Sequence, residues 1–284
     1  MKLCKDIIKG AMMGIANIIP GVSGGTMAVS MGIYDDIIGA VNGLFHDFKK
    51  SMKTLLPYII GMGIGLVGLS FVIQYLLEHY SLQTNLAFIG LILGGLPILL
   101  KRFKGHSLGM GQGIVFLIFF ALIIGLQLIG EGDGVDATLT VSASSAIVLF
   151  FIGVIASATM VIPGVSGSMI LMLLGYYNPI LESVTEFIKA VFQLDIQLIL
   201  HYCGILVPFG LGVVIGIFAI AKLIEILLSK YEVLTYSGIL GLVIASPFAI
   251  LMISGIPPLG FANVTTSVIT FLIGFYIAFA LGKE

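Results

Sequence analysis

Two copies of one short motif interrupt apolar stretches of this chain, and they restrict its possible folds more than any other feature. The first copy is Pro20-Gly21-Val22-Ser23-Gly24-Gly25-Thr26, inside the apolar run from Ile7 to Ala40, and the second is Pro163-Gly164-Val165-Ser166-Gly167-Ser168. Proline lacks a backbone N–H and clashes with the preceding helical turn, while glycine tolerates unusual backbone conformations. Each copy therefore predicts a broken helix, with a new helix beginning near a serine N-cap, Ser23 in the first case.

The rest of the sequence predicts an all-α polytopic membrane protein. Of its 284 residues, 59% are hydrophobic and only 10% are charged, whereas soluble domains carry about 25% charged residues. Many apolar runs approach the ~20 residues that a helix needs to cross a bilayer, and they lack the alternation of a membrane β-barrel. No signal-peptide cleavage site is recognised before Pro20, so we expect the N-terminal segment to be retained.

The sequence also repeats itself. With a shift of 143, Gly10–Ile38 lies over Gly153–Leu181 and ten of 29 positions are identical. With a shift of 151, Pro57–Leu91 lies over Pro208–Leu242 and eleven of 35 are identical. Paired proline, glycine, tyrosine and threonine residues are harder to obtain by chance than paired aliphatic residues. The sequence therefore predicts an internal duplication.

Each half of this duplication, residues 1–140 and 141–284, is predicted to contain a broken helical hairpin and three transmembrane helices. The predicted hairpins are 5–42 and 144–182, and the predicted spans are 55–77, 84–100 and 112–130, then 199–221, 235–253 and 264–281. Three crossings are an odd number, so the second half would be inserted upside down, as in the inverted repeats of many transporters. We expect the hairpins to be re-entrant. As a helix, the limb Asp6–Ile19 is about 21 Å long, which is short of a full crossing. The limb Ala143–Ile162 is long enough to span the membrane.

The positive charges predict the orientation of the chain. Lysine and arginine concentrate in cytoplasmic loops. If the N-terminus is cytoplasmic, every one of the 13 basic residues except Lys189 falls inside. We therefore expect both termini to be cytoplasmic, with Lys49, Lys101 and Lys283 inside and Asp133 and Lys189 outside.

The two helix breaks are candidate anion-binding sites. The first N–H groups of a helix lack intrahelical partners, and the macrodipole adds about half a positive charge at that end. Two such breaks, one from each half, are predicted to meet within the membrane and face one anion. The predicted substrate-binding residues are Asn17 and Thr159 on the incoming limbs, Pro20, Gly21, Val22, Ser23, Gly24, Gly25 and Thr26, and Pro163, Gly164, Val165, Ser166, Gly167 and Ser168. The simpler alternative is that the prolines and glycines only kink two helices for packing.

Other polar residues give weaker signals. Asp35 and Asp36 are either proton-coupling groups or residues of the cytoplasmic interface. Lys101, Arg102 and Lys104 are explained by topology, although basic clusters also attract anionic headgroups. The sequence contains no recognisable catalytic set, metal-ligand spacing or cofactor motif. We therefore expect a protein that is not an enzyme and that uses no cofactor or metal.

The chain resembles the bacterial polyprenyl-phosphate (undecaprenyl phosphate) transporter family, PopT-type, formerly a family of unknown function. The segments that carry the resemblance are GIANIIPGVSGGTMAVSMGIYDDII, SATMVIPGVSGSMILMLLGYYNPIL and GLILGGLP near residue 90. The resemblance implies a flippase of the bacterial cell membrane that returns undecaprenyl phosphate from the outer to the inner leaflet. It implies the lipid and the membrane as partners, without nucleic acid, and it assigns the headgroup to the two breaks. It gives no oligomeric state.

The residues by themselves support a transporter with a paired anion site and leave three alternatives open. One is a secondary transporter of a small soluble anion, and another is a non-transporting membrane assembly factor. The third is an intramembrane lipid-phosphate enzyme, against which the missing catalytic set argues. A closed, water-filled path would favour the small anion, whereas a groove open sideways to lipid would favour the lipid.

Overall fold

The computed structural model describes residues 2–19, 22–129, 136–254 and 260–282, and all regular structure in these ranges is helical. The first half contains α1 (Lys2–Ala16), α2 (Gly24–Ser30), α3 (Tyr34–Gly43), α4 (Phe48–Gly63), α5 (Ser70–His79), α6 (Ser81–Lys101) and α7 (Met110–Ile129). The second contains α8 (Ala143–Val161), α9 (Gly167–Leu173), α10 (Tyr177–Gln193), α11 (Ile196–Lys230), α12 (Glu232–Ser254) and α13 (Phe261–Leu281). The predicted all-α class is confirmed.

Seven helical segments of the described chain are long and apolar enough to cross a membrane: Phe48–Gly68 and helices α6, α7, α8, α11, α12 and α13. Each of six overlaps one of the six predicted spans, although the first, Phe48–Gly68, begins and ends before the predicted 55–77. A multi-pass membrane protein is confirmed. The seventh is α8, the limb of the second hairpin that the sequence already indicated as long enough to span. Whether the hairpins turn back inside the membrane stays a prediction.

The first predicted span differs from a single regular helix. After α4 the backbone passes through a π-helical stretch, Ile64–Gly68, and α5 begins at Ser70. The corresponding helix of the second half, α11, is continuous over 35 residues. Glycine weakens a helix because it has no side chain to restrict the unfolded backbone. The first-half segment has glycines at 63, 65 and 68, whereas α11 has Val214, Gly216 and Ala219 at the corresponding positions. The interruption therefore coincides with a local cluster of glycines that α11 lacks.

The same glycine contacts occur at corresponding positions of both halves. They are Gly10 with Tyr58 and Gly61 with Ile7 in the first half, and Gly153 with Phe209 and Gly212 with Phe150 in the second. A Cβ added at Gly61 or at Gly212 would lie 2.0 Å from the partner's carbonyl oxygen, so only glycine permits the close approach of the two backbones. The four pairs are related by the shifts of 143 and 151, which supports the predicted duplication. An inverted relation between the halves stays a prediction.

The chain forms two compact units, of which the larger comprises Met1–Leu128, Ile162–Val165 and Ala221–Glu284. Helices α6 and α12 form its interior, with 61% of each span buried, whereas α7 is only 6% buried. A Cβ at Gly90 of α6 would meet the Phe271 carbonyl oxygen of α13 at 2.1 Å, and one at Gly241 of α12 would meet Phe116 of α7 at 2.4 Å. The last span of each half therefore packs against the middle span of the other half. For this reason the compact units do not coincide with the two halves of the sequence duplication.

The smaller unit comprises Ile129–Val161 and Ser166–Ile220. Within it, α8 packs against α9, and the glycines of α11 contact the α8 backbone. The chain before α8 is held to the turn after α9, since Ala137 N–H donates to the Gly175 carbonyl oxygen at 2.8 Å. Asn178 at the start of α10 donates to Asp136 at 3.3 Å. Residues 162–165 of the second helix break belong to the larger unit, whereas Ser166 and α9 belong to this one.

Candidate functional site

The first helix break is capped by its own side chains. Ser23 is the N-cap of α2, and its hydroxyl oxygen accepts the Thr26 N–H at 3.2 Å. Asn17 Oδ1 accepts the Gly24 N–H at 2.9 Å. The predicted N-cap is confirmed, but two of the N–H groups that the sequence assigned to an anion already have side-chain acceptors. The predicted site residues Pro20 and Gly21 lie outside the described residues.

The second copy of the motif contacts the first within the larger unit. The Gly164 N–H donates to Thr26 Oγ1 at 2.7 Å and to Ser23 Oγ at 3.0 Å. Gly164 has φ +84° and its Cβ would lie 3.0 Å from the Leu242 carbonyl oxygen, so this N–H is presented by a backbone conformation that glycine adopts readily. The sequence predicted that the two copies meet. Their depth in the membrane and a pseudo-two-fold axis stay predictions.

Counting donors shows that one hydroxyl proton of this contact is left over. A hydroxyl has one proton and two acceptor lone pairs. Ser23 Oγ and Thr26 Oγ1 lie 3.0 Å apart, and either can donate to the other. Whichever donates, the second hydroxyl keeps a proton for which the described residues show no acceptor. Ser23 and Thr26 are 5% and 0% exposed, so this proton is a buried donor available to an anionic oxygen.

The second helix break is less capped and more open than the first. Ser166 is the N-cap of α9 but makes no side-chain capping bond; its hydroxyl lies 2.9 Å from that of Ser168. Ser168 is exposed, and Ser166 and Gly167 are half-buried. Thr159 donates to its own helix, to Ala156 O at 2.6 Å. The start of α9 thus lacks the side-chain capping bond that Ser23 makes at α2.

The remaining candidate residues contribute backbone and packing. Val22, Gly25, Pro163 and Val165 are all buried. Valine and proline side chains offer no hydrogen bonds. Their role in any site is therefore to exclude water and to hold the neighbouring donors in place.

A second polar cluster, which the sequence did not predict, joins α3 to α6 and α12. Asp35 Oδ2 accepts from Arg102 Nη2 and from the Tyr236 hydroxyl, each at 2.5 Å, and the guanidinium lies 5.2 Å from the Tyr236 ring centroid. Asp35 and Arg102 line a pocket with Gly32 and Tyr34. Asp35 of α3 is therefore bound to Arg102 at the end of α6 and to Tyr236 of α12. Tyr236 lies 201 positions away in the sequence, so no local pattern reveals this contact.

The chain is similar to known proteins over most of its length. A family model described as undecaprenyl phosphate translocase-like matches residues 13–257. The chain is similar to a polyprenyl-phosphate transporter of Staphylococcus aureus (strain NCTC 8325 / PS 47), with 34% identity over 287 residues, covering 98% of this chain and 95% of that protein. It is similar to a polyprenyl-phosphate transporter of Vibrio cholerae serotype O1, with 29% identity over 264 residues, covering 87% and 77%. No solved structure matches. These matches confirm the predicted resemblance, and the chain belongs to the undecaprenyl phosphate translocase-like family.

Proposed function

We propose that the protein is a flippase that returns undecaprenyl phosphate from the outer to the inner leaflet of the bacterial cell membrane. The observation that carries this proposal is the buried contact of Ser23 and Thr26 with the Gly164 N–H. Polar groups among apolar helices are costly unless they are satisfied, and one hydroxyl proton of the Ser23–Thr26 pair lacks an acceptor in the described chain. The relatives are named polyprenyl-phosphate transporters, which supports the lipid as substrate and a role without catalysis.

In this mechanism the phosphate replaces contacts that the two helix breaks now make with each other. A phosphate oxygen accepts the left-over hydroxyl proton of the Ser23–Thr26 pair and takes over the Gly164 N–H. Ser166 and Ser168, whose hydroxyls lie 2.9 Å apart, are the predicted side-chain donors of the second copy. Because the prenyl tail is apolar, it stays in lipid while the headgroup moves. Rocking of one half against the other then opens the site to alternate leaflets, as in other inverted-repeat transporters.

The proposed orientation places both termini in the cytoplasm, with one exception to the positive-inside rule. This exception is Lys189, whose Nζ lies 2.6 Å from Glu186 Oε1 one helical turn away. The hydrogen bond and the charge of Glu186 raise the pKa of Lys189. The positive-inside rule counts lysine and arginine, and acidic residues contribute little to it. Lys189 therefore stays one exception among 13 basic residues.

The test is leaflet-resolved transport of undecaprenyl phosphate into liposomes that contain the purified protein. A Cβ added at Gly24 would lie 3.0 Å from Asn17 Nδ2, and one added at Gly167 would lie 3.0 Å from Thr159 Oγ1. Gly24→Val and Gly167→Val therefore place methyl groups where the phosphate must approach the backbone. We expect both to lose transport, whereas Gly113→Val, with no atom within 4 Å of its Cβ, keeps it.

Two comparisons complete this experiment. Undecaprenol, which lacks the phosphate, should not be transported, and inorganic phosphate should not be carried across the bilayer. Transport of inorganic phosphate would favour the small-anion alternative. Wild-type rates from folded Gly24→Val and Gly167→Val proteins would show that the breaks are only structural.

A further inference from the structure

Lys9 of α1 is a buried positive charge, and no carboxylate among the described residues forms an ion pair with it. The residue is 7% exposed, and its ammonium makes a hydrogen bond to the Met31 carbonyl oxygen at 3.4 Å. The ion pairs of the described chain do not include it. An ammonium has three donors, so two of them lack an acceptor within the described ranges. Lysine is almost never fully buried unless it is paired, so this side chain requires an explanation.

Packing does not account for the charge. Lys9, Met13 and Ala16 follow one face of α1 at helical spacing, and all three are buried. Methionine would fill similar space without an ammonium group. A cation near the last carbonyls of a helix is favourable, and Met31 is the C-cap of α2. However, 3.4 Å is longer than the 2.7–3.2 Å of ordinary hydrogen bonds, so the ammonium caps this helix only weakly.

The position of Lys9 connects it to the first helix break. Its acceptor Met31 ends α2, whereas Ser23 and Thr26 stand at the start of the same helix, about 10 Å away at the helical rise. Along α1, Lys9 lies between the N-terminal end and Asn17 at the break. In the proposed orientation, Lys9 is therefore on the cytoplasmic side of the first helix break.

We propose that Lys9 is a second contact for the phosphate monoester, which receives the headgroup after it leaves the helix break for the inner leaflet. This inference rests on the proposed function. The break offers hydroxyl and N–H dipoles, whereas lysine adds a full positive charge on a flexible stem and binds phosphate as a point charge. Because Lys9 is buried against α2, the contact forms only when α1 and α2 separate. The long bond to Met31 is then easily given up.

The test compares Lys9→Met, Lys9→Arg and the control Lys2→Met, which removes an exposed lysine from the same helix. The full-length protein is titrated in detergent with farnesyl phosphate, farnesol and inorganic phosphate, and its thermal unfolding is measured without ligand. We expect Lys9→Met to bind farnesyl phosphate about tenfold more weakly or worse, since a charged hydrogen bond is lost. Farnesol binding should not change, and Lys9→Arg should stay within a few-fold of wild type.

The unfolding midpoint separates this inference from a structural role. Replacing an unpaired buried charge by an apolar residue commonly stabilises a protein, so ligand-free Lys9→Met should unfold at the wild-type temperature or above it. Lys9→Met that binds farnesyl phosphate within twofold of wild type would overturn the inference. A lower midpoint, or failure to fold, would also overturn it, because the charge would then be structural. Wild-type protein that does not prefer farnesyl phosphate over farnesol and inorganic phosphate would instead contradict the proposed function.

Discussion

The shared hydrogen bond of Gly164 makes a quantitative prediction about the two helix breaks. Its N–H has two acceptors, Thr26 Oγ1 at 2.7 Å and Ser23 Oγ at 3.0 Å. Thr26→Val keeps the shape of the side chain but removes one acceptor, and we expect it to cost about 1 kcal/mol of unfolding free energy. Ser23→Ala removes the other acceptor and the N-cap of α2, and it should also cost about 1 kcal/mol. In each single variant the Gly164 N–H keeps an acceptor.

The double variant should leave the Gly164 N–H buried without an acceptor, which costs roughly 1–3 kcal/mol that neither single variant shows. The hydrogen bond between the two hydroxyls is lost in either single variant, so about 1 kcal/mol is counted twice in the sum of the single variants. The assay is reversible unfolding in mixed micelles, combined with hydrogen exchange of the Gly164 amide, which should become faster. Matched controls are Ser246→Ala and Ser237→Ala, whose buried hydroxyls bond within their own helix, α12. Exchange of the Gly164 amide that is no faster in the double variant than in either single variant would refute a shared hydrogen bond.

Three further predictions concern packing, the polar cluster and topology. Gly61→Ala should destabilise the protein by roughly 1–3 kcal/mol, because its Cβ would lie 2.0 Å from a backbone oxygen. Gly63→Ala should be neutral, because its Cβ has no neighbour within 4 Å. Equal unfolding curves for the two variants would contradict this prediction. Tyr236→Phe should cost about 1 kcal/mol through loss of the hydrogen bond to the α3 carboxylate, and an unchanged unfolding midpoint would argue against that bond. A cysteine in place of Lys101 should react only with reagents that enter the cytoplasm, and one in place of Lys189 should react from outside; external labelling at position 101 would exclude the proposed orientation.

The sequence was sufficient for every feature that depends on neighbouring residues. Proline and glycine disrupt a helix within one turn, so the breaks before α2 and α9 followed from local chemistry, as did the N-cap at Ser23. Apolar length predicted the membrane spans, because the bilayer requires about 20 residues per crossing. The motif copies predicted the family, which the comparisons confirmed. The assignment of the substrate to the breaks stays a prediction.

Only the tertiary structure decided which polar groups are satisfied. The Gly164 N–H and the Ser23 hydroxyl are 141 positions apart, and their contact depends on how helical backbones pack. The same packing placed Asn17 Oδ1 against the Gly24 N–H, which local rules left free, and it buried Lys9, which the sequence counted only as a topology signal. The physical reason is that a hydrogen bond requires a donor–acceptor distance that is correct to within a few tenths of an ångström. Such distances are set by the packing of whole helices, whereas helix starts, breaks and lengths are set within a few residues.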